Sequence, residues 1–87
     1  MIELEYDPVF EKQVARLEIQ LRNKLAVLLT LIVKSAYDPR LHTKALSEPF
    51  LGMYAFRITR DWRVTFFFKS KNVIRLLEVK HRKDIYR

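Results

Sequence analysis

Tyr54-Ala55-Phe56-Arg57-Ile58-Thr59-Arg60-Asp61-Trp62-Arg63-Val64-Thr65-Phe66-Phe67-Phe68-Lys69 is the stretch from which the fold can be read. Tyr54, Phe56 and Ile58 alternate with Ala55, Arg57 and Thr59. After a short break, Trp62, Val64, Phe66 and Phe68 alternate with Arg63, Thr65, Phe67 and Lys69. A period of two marks strands with one buried face, and aromatic and β-branched residues suit them. With Thr59-Arg60-Asp61 as the loop, Ile58 falls opposite Trp62, Phe56 opposite Val64 and Tyr54 opposite Phe66. A slip of one residue would turn this whole set to solvent, so the apolar pattern fixes the register. The same register sets Arg57 opposite Arg63 on the other face.

Working outward, the chain downstream predicts a further strand at about 72–80 and a polar tail, His81-Arg82-Lys83-Asp84-Ile85-Tyr86-Arg87. Upstream, residues 40–52 read as a loop ending at Gly52, the only glycine. Before it, Leu21, Leu25, Leu28, Leu29, Ile32 and Ala36 share one face of a helix over about 20–36. Val27, Leu31 and Val33 widen that face. Either the helix is clasped between the sheet and a first helix, or the excess docks a partner protein. The first helix, about 8–19, starts at Asp7-Pro8, a capping residue followed by a proline where no N–H is needed. Ile2, Leu4 and Tyr6 alternate with Glu3 and Glu5 as an opening strand. The expectation is a single α+β domain over 1–87, ordered β-α-α-β-β-β. Two N-terminal helices pack on one face of a small, mostly antiparallel four-stranded sheet.

Composition narrows the function. The 87 residues carry 17 Lys and Arg against 10 Asp and Glu, a net charge of +7 that favours a polyanionic partner. Solubility alone, or an acidic protein partner, would also account for it. No cysteine is present, which excludes disulfides and thiolate metal sites and fits a reducing cytoplasm. The start lacks the pattern of a signal peptide, and no apolar run reaches the length of a membrane span, so neither secretion nor a membrane is expected. One glycine cannot build a phosphate-cradling loop. Two histidines, His42 and His81, without metal-ligand spacing predict no metal, and no cofactor is expected.

What remains is cations on a sheet. Like charges directly across a strand pair cost stability, and a phosphate held between Arg57 and Arg63 would remove that cost. The alternative is that both splay into screened solvent. The last strand delivers His81, Arg82 and Tyr86, and pairing with its neighbour could bring them beside Arg63. Imidazole, guanidinium and phenol form a plausible set for phosphodiester cleavage, and imidazole is the side chain class that exchanges protons near neutral pH. A surface histidine in a polar tail is the plainer reading of His81.

Leu51-Gly52-Met53-Tyr54-Ala55-Phe56-Arg57-Ile58 followed by Asp61-Trp62-Arg63-Val64-Thr65-Phe66 is similar to the hairpin of the RelE/ParE toxin superfamily of toxin–antitoxin systems. His81-Arg82-Lys83-Asp84-Ile85-Tyr86 resembles its closing stretch. With the helical half consistent in length, the resemblance spans nearly the whole chain. It implies a RelE-like fold and a metal-independent endoribonuclease, an mRNA interferase. The reaction is attack by the 2′-OH on its own phosphate, giving a 2′,3′-cyclic phosphate and a 5′-OH, on mRNA in the ribosomal A site.

By this resemblance Arg57 and Arg63 contact the scissile phosphate, and Arg82 assists the leaving group or touches the phosphate. Tyr86 orients or stacks on a nucleotide, and His81 acts as base or acid. Lys44, Arg60, Lys80 and Lys83 are the flanking cations expected to bind RNA. Partners implied are a cognate antitoxin and, through their complex, operator DNA. Two departures stand out. Ala55 occupies a position where some members hold a catalytic lysine, for which Lys44 or Lys80 are candidates to substitute, and Lys80 stands where many have glycine. The alternatives are a ParE-like inhibitor of DNA gyrase and a weakened toxin that only binds its antitoxin.

Overall fold

A computed structural model describes residues 1–85. Tyr86, one of the residues assigned a role above, lies outside the described residues. The chain folds as β1 (Glu3–Tyr6), α1 (Pro8–Arg16), α2 (Ile19–Lys34), a 3-10 turn (Pro39–Leu41), β2 (Lys44–Ala45), β3 (Met53–Arg57), β4 (Trp62–Ser70), β5 (Val73–His81) and a second 3-10 turn (Arg82–Asp84).

The hairpin register is the one the alternation requires: Tyr54 opposite Phe66, Phe56 opposite Val64 and Arg57 opposite Arg63. Its inward residues Phe56, Ile58, Val64 and Phe66 are at most 1% exposed and pack under Phe10, Leu25, Leu28 and Ile32 from the helices. The helices therefore cover one face, as expected. Asp7 caps α1, its carboxylate accepting the Val9 N–H at 2.9 Å. The helix ends at Arg16, earlier than expected, because Leu17 and Glu18 turn extended to let α2 fold back. On α2, Ile19 and Val27 stay about 60% exposed, so the widened apolar face is not wholly clasped.

The sheet differs from the expectation in strand number. It has five strands in the order β1-β5-β4-β3-β2. The added strand, Lys44–Ala45, lies inside the stretch read as a loop and pairs antiparallel with β3. Two residues carry no detectable period, and only the edge of β3 calls them into the ladder. β1 pairs with β5 in parallel, and the other pairings are antiparallel. The single glycine sits just before β3 with φ of 87°, a left-handed value that side chains rarely adopt.

The tail is not the polar appendage expected. The turn Arg82–Asp84 folds the chain back over the outer face of the sheet, and Ile85 is 6% exposed against Ala55 and Leu46. This small second apolar cluster, with Phe50 and Met53 at its edge, closes one side of that face and leaves a cavity beside it.

Candidate anion-binding site

The cavity has a volume of about 410 Å³, with walls formed by His42, Lys44, Arg57, Arg63, Arg82 and Lys83 over a floor of Leu46, Ala55 and Ile85. The cations arrive from several elements. Arg57 and Arg63 face one another across the β3–β4 ladder. Lys44 stands directly across from Ala55 through the short β2 pairing. Arg82 and Lys83 come from the turn after β5, and His42 from the cap of the first 3-10 turn, where its φ is 51°.

The local fold holds these groups in place. Asp61, in the hairpin turn, fixes Arg82 twice: its carbonyl accepts the Arg82 N–H at 2.7 Å and its carboxylate meets the Arg82 Nε at 3.5 Å. One terminal nitrogen of Arg63 donates to the Arg60 carbonyl at 3.4 Å. The Nε of Arg57 is buried and has no acceptor among the described residues. A buried donor without a partner costs about 1–3 kcal/mol. Beside a second arginine, in a cavity with three further cations, that donor is suited to an anion's oxygen. Among the described residues no cluster of His, Cys, Asp or Glu could hold a metal ion.

Arg57, Arg63 and Arg82, three of the residues expected at the site, thus converge with Lys44 and Lys83. His81 does not join them. It pairs in register with Trp62, its ring meets the indole edge-on at 5.3 Å, and both lie on the helix side of the sheet. The reason is a β-bulge. Phe66 pairs with Leu76 but Thr65 pairs with Glu78, so Leu77 is an extra residue that inverts the alternation of everything after it. Without that residue His81 would face the cavity. It serves the site indirectly, its Nδ1 accepting the Lys83 N–H at 3.3 Å in the turn that carries Arg82 and Lys83.

Lys80 does face outward beside Arg63, but its ammonium is drawn to Glu78 at 3.4 Å. Arg60 is exposed at the hairpin tip. The sequence reading missed His42, whose place in the wall depends on the 3-10 turn capped by Asp38. Asp38-Pro39 was the only local hint of that turn.

No family model matches the sequence, and no curated protein is similar to it. Solved structures do match. YafQ from E. coli strain BL21(DE3) superposes over 100% of both chains, with a TM-score of 0.77 at 19% identity. The YoeB/ParE toxin from Agrobacterium tumefaciens gives 0.78 at 13% identity, covering 93% of this chain and 99% of that one. The E. coli DinJ–YafQ toxin–antitoxin complex gives 0.75 at 18%, covering 99% and 98%. The chain has the fold of these toxins, as the hairpin and closing stretch implied.

Proposed function

We propose that the chain is the toxin of a toxin–antitoxin pair and a metal-independent endoribonuclease acting on messenger RNA. The observation that carries this reading is the cavity in which Arg57, Arg63, Arg82, Lys44 and Lys83 converge around a buried guanidinium N–H of Arg57 that has no partner among the described residues. A phosphodiester matches it in charge and in the spacing of its oxygens.

The chemistry follows from the side chains present. Arg57 and Arg63 grip the scissile phosphate and neutralise the charge that builds on it as the 2′-oxygen attacks. Lys44, across from Ala55, supplies the cation that Ala55 itself cannot. His42 takes the 2′-OH proton, one of the two roles, base or acid, first expected of His81. Arg82, held by Asp61, faces the departing 5′-oxygen. As the new bond from the 2′-oxygen closes the 2′,3′-cyclic phosphate, the bond to the 5′-oxygen breaks, and that oxygen takes a proton from water to leave as a 5′-OH. His81 is a positioning residue for the Arg82 turn. Tyr86 retains its proposed role of orienting a nucleotide.

An antitoxin is the proposed protein partner. In support, one of the similar structures is itself a toxin–antitoxin complex. Between α1 and α2 lies an apolar groove of about 370 Å³, lined by Tyr6, Phe10, Val14, Leu25, Ala26 and Leu29, that could seat a helix. Contact with operator DNA is proposed to run through that complex. The proposed setting is the cytoplasm, with mRNA cut on the ribosome. No helix among the described residues is long and apolar enough to cross a membrane.

The test is to induce the protein and map RNA ends. New 5′-OH ends within codons are expected, and Arg63→Ala is expected to remove them while keeping the fold, since truncation on an outer sheet face disturbs little packing. Intact RNA with damaged DNA would instead identify a gyrase inhibitor. Unimpaired growth would identify a chain that only binds its antitoxin.

A further inference from the structure

The outer face of the sheet has a second feature, away from the cavity. Of the aromatic residues on β4, Trp62, Phe66 and Phe68 face the helices and pack in the main core. Phe67 alternates with them and faces outward, on the same side as Arg63 and Thr65. It is half-buried, belongs to neither apolar cluster and has no ring partner among the described residues. Met53 and Arg75 are its neighbours across the two ladders.

The charge around Phe67 differs from that of the cavity. Arg75 contacts Glu5 at 3.3 Å and Asp7 at 3.2 Å, and Lys69 contacts Glu5 at 3.0 Å. Two cations are matched there by two carboxylates. Such a neighbourhood does not draw a phosphate, whereas a half-buried ring with one open face, flanked by paired charges, suits the face of a base. Phe67 lies four positions along β4 from Arg63, about 13 Å at the usual rise. An extended RNA strand covers that in about two nucleotides.

We infer that Phe67 is a stacking platform for a nucleobase of the strand whose phosphate the cavity holds, about two nucleotides from it. The inference rests on the reading of the cavity as an RNA phosphate site. The phosphate grip is blind to sequence, while the platform favours bases that stack well and fixes which phosphate enters the cavity.

The test uses the full chain with short RNA oligonucleotides, free and seated on ribosomes. Each is made uncleavable by a single 2′-deoxy substitution and carries 2-aminopurine at successive positions. Quenching of its fluorescence is expected at one position, within about two nucleotides of the protected bond. Phe67→Tyr should keep that quenching. Phe67→Leu should abolish it and weaken binding roughly tenfold, the scale of one lost base–aromatic stack. If Phe67→Leu does not fold, a position-specific quench by the wild type that survives in Phe67→Tyr still supports the inference. Binding and cleavage with no position-specific quench, or with a quench unchanged in Phe67→Leu, overturn the platform. That result would leave the phosphate site standing and assign Phe67 to a protein contact. Failure of the wild type to bind or cut RNA overturns the phosphate-site reading, and the platform with it.

Discussion

Arg57 carries the tension between stability and function most clearly. Its Nε–H is buried without an acceptor among the described residues, and Arg63 stands directly opposite. A sheet selected for stability alone would place neither arginine there. Arg57→Met keeps an unbranched chain of similar length and removes both the stranded donor and the like-charge pair. We expect it to hold or raise stability, by up to about 1–2 kcal/mol in urea denaturation, while RNA cleavage is lost. A marked fall in the urea midpoint would mean that the guanidinium is structural. The pairing of Arg57 with Arg63 was legible in the sequence because an unbroken period of two fixes parity from Tyr54 to Phe68. The side on which His81 falls was not legible. It depends on one extra residue, Leu77, and a bulge has no signature among Leu76, Leu77 and Glu78.

At the scale of elements, that bulge needs support from outside the strand. Gln13 on α1 provides it, its side-chain oxygen accepting the buried Val79 N–H at 2.6 Å. Gln13→Ala should cost about 1–3 kcal/mol, read from thermal or urea unfolding, and should speed amide exchange at Val79. β1 is held differently. Hydrogen bonds from Lys69 and then Arg75 hold the Glu5 carboxyl below its ordinary range, and the Val9 N–H followed by Arg75 does the same for Asp7. The side chain and backbone N–H of Arg40 lower Asp38 to about 2. Carboxylates depressed in the folded state contribute stability that is complete above their ordinary range and is lost as pH falls through the folded values. Urea midpoints should therefore decline below about pH 5, with the Asp38 share persisting to about pH 2. Asp38→Asn should flatten the most acidic part of that decline. The helices and the three long strands were readable from capping and period. The two-residue β2 was not, because its strand character comes from β3 rather than from Lys44 and Ala45.

For the molecule as a whole, a net charge of +7 is spread unevenly. The outer face is strongly cationic at the cavity and balanced around Phe67. Binding to single-stranded RNA should weaken with salt at a slope of about −0.7 in log–log form for each phosphate engaged. With about three phosphates held, a slope near −2 is expected, and Arg63→Ala should reduce it by about 0.7. A slope near zero in a titration from low to moderate salt would mean that the cavity does not engage the backbone.

The parallel pairing of β1 with β5 has a consequence for biosynthesis. β1 emerges before β5 and has no neighbour in the sheet until β5 is made. The cavity is finished later still, when the turn bearing Arg82 and Lys83 closes over Ala55. A nascent chain that has emerged only as far as β4 therefore carries Arg57 and Arg63 but no enclosed pocket. The cell making this protein meets the complete cationic grip only once the turn that follows β5 has left the ribosome.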